Sequence, residues 1–223
     1  MQQDLKQGFP GRSTLLLFLI GLIFSGCTYS SARYHPRFLS YRHSMGVLLV
    51  LQPEIRIFEQ LSDGSRLYQD IQSREAQRRA QAAIVRQLGE RHFTVKAASP
   101  QLMQKSEYRS VTDLFRSVNL SVQLHTYGPQ PFPAKVNAFE YSVGSVAGIL
   151  AANGADGLVL AIGYQSGSDR PGSNWFSIAV VEPEGRIIWY NLKSDSQRFN
   201  LQSATGVSAM VAAAMTVFWE RGS

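Results

Sequence analysis

The stretch Asp156-Gly-Leu-Val-Leu-Ala-Ile-Gly163 constrains the fold most, because it is apolar at nearly every position. A strand with one face in water alternates polar and apolar residues, so a continuous run reads as a central strand covered on both faces by helices. The helices are legible on either side of it. Ala76, Ala80, Ile84 and Leu88 recur at four-residue spacing behind Ser73, a suitable N-cap, with Glu75 at the positive end; this predicts an amphipathic helix over about 74–91. His92 then falls where the chain must reverse, and histidine is among the residues that tolerate positive φ. Ser99-Pro100 opens a second helix in the favoured cap-then-proline order, with Val111, Leu114, Phe115, Val118 and Val122 as its stripe. Residues 118–124 also alternate as a strand would, and the helical period is preferred. Ser142 can cap a third helix bearing Val143, Val146, Ala147 and Leu150 and closed by Asn153-Gly154. A last one, over about 203–219, carries Val207, Met210, Val211, Ala214, Val217 and Phe218.

The remaining strands follow from composition and turns. Met45-Gly-Val-Leu-Leu-Val-Leu51 is a buried strand ended by Pro53; Ile55 to Leu61 alternates and turns through Ser62-Asp63-Gly64-Ser65 into Arg66-Leu-Tyr68. Phe93 to Ala97 is a further strand, and Trp175 to Val181 forms a hairpin with Arg186 to Tyr190 about Pro183-Glu184-Gly185. The expectation is an α/β fold, a single-domain mixed sheet with antiparallel hairpins packed by helices.

The first residues set the compartment. A weakly basic stretch precedes the apolar run Thr14 to Phe24, and Ser25-Gly26-Cys27 follows, in the order of a secretory signal peptide. At about 16 Å as a helix the run is too short for a permanent span. Phe24-Ser25-Gly26-Cys27 resembles the bacterial lipobox, in which the cysteine is diacylated before cleavage, with Phe24 where leucine is usual. Cys27 is the sole cysteine of the chain and so has no internal disulfide partner. The organisation expected is a cleaved lipoprotein signal over 1–26, a lipidated tether over 27–43 and a mixed α/β periplasmic domain over 44–223. Lipid on Cys27 ties the chain to a membrane, and Thr28, rather than aspartate, after the cysteine implies the outer membrane of a Gram-negative host, facing the periplasm.

Removal of the signal leaves about 197 residues, enough for one domain with a substantial core. The formal charge of +6 is spread out: Arg74, Arg78, Arg79, Arg86 and Arg91 share one helix with Glu75 and Glu90 as a solvated face. No cationic block points to nucleic acid, and an acidic surface or lipopolysaccharide is the better anionic partner.

Catalytic machinery is not signalled. The sequence lacks His-Glu-x-x-His, paired Cys-x-x-Cys, phosphate-loop and dinucleotide patterns, and neither Ser145 nor Ser208 has the glycines of a nucleophile elbow. His35, His43, His92 and His125 have no metal-ligand spacing. Asp156 reads as a turn cap or an acceptor of local amides rather than a catalytic group, and 163–172 as a flexible hairpin tip rather than a phosphate nest. No catalytic residue, cofactor or metal is expected.

The segment from His125 to Tyr141 is the candidate partner surface. Its three prolines between 129 and 133 exclude helix interior and central strand, and it carries Tyr127, Phe132, Phe139 and Tyr141. A connection of such length without secondary structure tends to be either functional or disordered, and this one is too aromatic for a simple flexible linker. Its rings either face a partner or fold back as a lid on their own core, the lid being the plainer alternative.

The order of strands and helices, with Gly154-Ala155-Asp156 leading into the apolar strand and the later hairpin, is similar to the envelope lipoprotein of curli secretion and to the N-terminal domain of the Tol translocation protein. Leu124-His-Thr-Tyr-Gly-Pro129 and Phe139-Glu-Tyr-Ser-Val-Gly144 resemble a family of uncharacterised proteobacterial lipoproteins. The resemblance implies a nonenzymatic accessory or interaction component of an envelope assembly, transport or secretion system, with a protein partner. The curli lipoprotein's pore needs pairs of long lipid-facing segments, which this sequence lacks. The alternative is a periplasmic binding module for an anionic envelope ligand such as lipopolysaccharide or peptidoglycan.

Overall fold

The computed structural model describes residues 32–129, 131–167, 174–194 and 199–219. The signal segment, Cys27 and the start of the expected tether lie outside them, as does half of the glycine-rich tip, residues 168–172. In chain order the elements are β1 (Arg33–Tyr34), α1 (Phe38–Arg42), β2 (Val47–Val50), β3 (Glu54–Gln60), β4 (Arg66–Tyr68), α2 (Asp70–Gly89), β5 (Thr94–Ala97), α3 (Ser106–Val122), a π-turn (Gln123–Tyr127), α4 (Pro133–Asn137), α5 (Ala147–Asn153), β6 (Gly157–Gln165), β7 (Asn174–Val181), β8 (Ile187–Ser194) and α6 (Ala204–Met215).

The eight strands form one mixed sheet with the path β1-β8-β7-β6-β2-β5. As the apolar run demands, β6 is central. It pairs antiparallel with β7 on one side and parallel with β2 on the other. Beyond Ala161 the same edge of β6 is taken over by β3, also parallel. Pro53 lies between these two pairings and, having no N–H to give, marks the break.

Side chains alternate into two cores. Leu48, Val50, Val159, Phe176 and Ile178 face α2 and α6, whereas Leu49, Leu51, Leu158, Leu160 and Ala179 face α3 and α5. The architecture is three layers, helix, sheet, helix. A bulge opposite Val180/Val181 puts consecutive Ile188 and Trp189 on the α6 side.

Local details depart from the sequence in instructive ways. α2 starts at Asp70 rather than at 74; Ser73 lies inside it, buried, its Oγ accepting the Ile57 N–H at 3.0 Å. Glu75 and Asp70 pair with Arg79 and Arg74 one turn on, which adds a few tenths of a kcal/mol each on an exposed face. The α-versus-strand conflict at 118–124 resolves as helix running into the π-turn. α5 begins at Ala147, so Ser142 is not its cap; the hydroxyl instead donates to Gly185 O at 3.0 Å. The last helix is shorter than expected: Ser203 caps α6, accepting from Gly206 N at 3.0 Å, and the helix stops at Met215, beyond which Phe218 and Trp219 stack at 4.0 Å.

The expected domain start near Ser44 falls too late. Arg33 and Tyr34 pair with Tyr190 and Trp189 of β8, and α1 follows. A two-residue edge strand has no readable period, and its neighbours Ala32 and His35 are buried without forming an apolar run.

His92 has φ +64° and ends the reversal after α2, its N–H reaching Gly89 O at 3.0 Å. His92→Gly is expected to shift stability by less than about 1 kcal/mol, with relief of the Cβ strain set against unfolded-state entropy. Thermal melting checks this; a drop well beyond that range gives the imidazole a packing role.

Candidate functional site

The segment 125–141 is not a bare loop. The π-turn carries His125 and Tyr127, and Pro133 occupies the first turn of α4, where a fixed φ and a missing N–H cost nothing. One of the three prolines that argue against a helix interior thus starts a short helix instead. Val122 and Thr126 are joined by a 2.8 Å bond from the Thr126 hydroxyl to the Val122 carbonyl, which holds the π-turn to the end of α3.

The rings divide between inside and outside. Phe139 is buried among the α3-side core and packs on Tyr190 at 6.0 Å. Tyr127 lies 5.9 Å from the same ring, and burial pushes its hydroxyl pKa up. The Arg33 guanidinium sits 4.7 Å from the Tyr127 centroid and donates to Thr126 O at 3.0 Å, so β1 clamps the π-turn. Tyr141 is half-buried against Phe139 at 5.1 Å, with Lys135 Nζ 5.3 Å from its centroid. These three rings close over the core as a lid.

Phe132 is the exception, at 57% exposed. Its ring meets His125 edge-on at 5.0 Å, and its N–H donates to the His125 carbonyl at 2.9 Å. His125 Nδ1 in turn lies 3.2 Å from Ser121 Oγ and 3.4 Å from Tyr141 Oη. A phenyl ring is therefore held out in solvent from a braced base. Leu120 and Leu124, one helical turn apart and each 59% exposed, add apolar surface on the segment leading to it.

Beneath the lid is a polar knot that the sequence did not announce. Asn119, on the core face of α3, accepts at Oδ1 from Ser177 Oγ at 2.6 Å and Tyr190 Oη at 2.7 Å. Burial holds the Tyr190 pKa well above its ordinary value. All three groups are buried, and their hydrogen bonds register α3 on the sheet.

Asp156 is likewise structural. Its Oδ2 accepts from Gly46 N at 2.8 Å and Val47 N at 2.7 Å, fastening the start of β2 to the start of β6. The amides are those of a neighbouring strand rather than local ones. Among the described residues no three His, Cys, Asp or Glu side chains are grouped to hold a metal, and no helix is long and apolar enough to cross a membrane.

A cleft of about 260 Å³ opens at the Pro53 break between α2 and α3. Glu54 is its fulcrum, bridged by Arg56 Nε at 2.8 Å and Arg116 Nη2 at 2.7 Å, while Arg116 also meets Asp113 at 3.0 Å. The hydrogen bond to Glu54 raises the Arg116 pKa. Gln77, Arg109 and Thr112 complete the polar wall. Nothing in the sequence links residues 52–56 to 109–116, which meet only through the sheet.

No protein-family model matches the chain, and no curated protein sequence does. Solved structures similar to it include the PelC dodecamer from Paraburkholderia phytofirmans, at 10% identity and a TM-score of 0.40 over 85% of this chain and 96% of that one. The lipoprotein GNA1162 from Neisseria meningitidis is similar at 12% identity and a TM-score of 0.36, over 77% of this chain and 94% of that one. The LpoB C-terminal domain from Salmonella enterica is similar at 18% identity and a TM-score of 0.28, over 69% and 84%.

Proposed function

We propose that this chain is an envelope lipoprotein, held by lipid on Cys27 in the outer membrane and facing the periplasm, with a nonenzymatic accessory role in envelope assembly, transport or secretion. Its partner is a protein that docks on the tip of the 125–141 segment. The observation that carries this reading is Phe132, an exposed ring on a braced support whose neighbouring rings Tyr127, Phe139 and Tyr141 are taken up by the core. Support fixed in advance lowers the ordering cost of binding, and an aromatic anchor of this kind is what a partner pocket recognises. The anchor rests on the signal-like run, the lipobox-like Phe24-Ser25-Gly26-Cys27 and the absence of a second cysteine. Acyl chains contribute about 0.8 kcal/mol per buried methylene, so a diacylated and N-acylated cysteine holds firmly.

Two substitutions separate the parts. Cys27→Ser is expected to abolish incorporation of labelled fatty acid and to leave the chain uncleaved or soluble; a variant that still acquires lipid overturns the anchor. Phe132→Ser is expected to melt within about 0.5 kcal/mol of the parent, as exposed substitutions do, while losing its partner in in vivo crosslinking with mass spectrometry. A large fall in melting temperature would make Phe132 part of the lid, and normal melting with every partner kept removes it from the interface.

A further inference from the structure

On the α3 side of the sheet, four rings from four neighbouring strands touch in series. Tyr68 of β4 lies 5.5 Å from Phe58 of β3, Phe58 lies 5.6 Å from Tyr164 of β6, and Tyr164 stacks on Trp175 of β7 at 6.0 Å and 18°. They form one continuous strip across the sheet. Tyr68 is 43% exposed and the other three are half-buried. Guanidiniums border the strip: Arg66 donates to the Tyr164 hydroxyl at 2.8 Å, and Arg56, in register with Tyr164, leads back to the cleft at Glu54.

We propose that this strip binds a linear acidic polysaccharide strand, its sugar rings lying on the aromatic faces and its carboxylates on Arg56 and Arg66. The chemistry of the surface selects that occupant. A pyranose offers polarised C–H groups on its flat face and hydroxyls at its rim, which suits ring faces carrying negative quadrupole density beside phenol and guanidinium groups. A lipid tail or a helix face wants continuous aliphatic surface instead, and the strip is aromatic and polar by turns. The extended shape fits an unbranched strand. The sign of the charge follows from the residues beside it: around the cleft, Glu54 and Asp113 stand against Arg56, Arg109 and Arg116, and Arg66 adds to the excess of positive charge. Guanidinium recognises carboxylate with paired hydrogen bonds. This site is separate from the Phe132 tip, so either can fail alone.

The test is affinity electrophoresis of the full-length protein in mild detergent, through gels containing polygalacturonate or, as the uncharged match, hydroxyethylcellulose. Polygalacturonate is expected to retard the protein and hydroxyethylcellulose to do so much less. Tyr68→Ala, at an exposed position, and Arg66→Gln should each weaken retardation by up to about tenfold. Arg78→Gln removes the same charge from α2, on the other face of the sheet, and should leave retardation unchanged. The proposal is overturned by no retardation in polygalacturonate, by equal retardation in the neutral polymer, or by Arg78→Gln and Arg66→Gln weakening it equally, which would make net charge the cause. Capture of an envelope protein by a photocrosslinker at position 68, with no glycan retardation, would make the strip a protein interface instead.

Discussion

Gly185→Ala is expected to lower the melting temperature by about 10 °C, or to prevent folding. Gly185 closes the turn between β7 and β8, with its N–H on the Glu182 carbonyl at 2.8 Å and φ +89°. An L side chain in the left-handed region costs about 1–2 kcal/mol. The larger part is steric: a Cβ there would lie 1.9 Å from Gly144 O. That neighbour is backbone, held by Val143 N–H to Gly185 O and Val146 N–H to Pro183 O, both 2.9 Å. The 142–146 loop must lift, adding roughly 1–3 kcal/mol of overpacking and lost hydrogen bonds. In a chain of this size each kcal/mol is about 2–4 °C. Differential scanning calorimetry checks it, and a melting temperature within about 2 °C of the parent would mean that the two loops separate freely.

Asn119→Leu is the second large effect, expected to cost about 2–4 kcal/mol by denaturant unfolding. The substitution keeps the volume and the helical period, yet it strips the acceptor from the buried hydroxyls of Ser177 and Tyr190. A buried polar group left without a partner costs about 1–3 kcal/mol. The Ser177 hydroxyl keeps a 3.4 Å contact with Ile162 O, which limits its share of the loss. The sign of the coupling distinguishes this account from simple misfit. Combining Asn119→Leu with Ser177→Ala and Tyr190→Phe removes all three polar ends and should recover most of the stability. A triple variant as unstable as the sum of its parts would place the cost in packing.

What was legible in the sequence and what was not divide along a physical line. The central strand β6 and the β7–β8 hairpin can be read because burial on both faces and a turn sequence are each local. The continuation of β2 by β3 along one edge of β6 could not, since Pro53 signals a stop and says nothing of which strand comes next. β1 leaves no signal, because two residues carry no apolar period. At the 125–141 segment the aromatic content was plain. Its division, Phe139 inward and Phe132 outward, depends on a helix that starts with Pro133, a residue more easily read as a breaker. Asn119 carries no readable signal because its partners, Ser177 and Tyr190, lie far along the chain. The ring strip was hidden for the same reason, each of its members belonging to a different strand.

Without β1, β8 would be a bare edge. Its backbone between Ile188 and Tyr190 would offer an open ladder to any extended peptide, and Arg33, Tyr34 and the His35 N–H, 3.0 Å from Ile188 O, fill that register first. The short strand is held by more than its ladder, because Ala32 and His35 are buried beside it and Tyr34 packs on Phe38 at 4.8 Å. Residues 33–35 thus stand between the β8 ladder and any strand that would add to it.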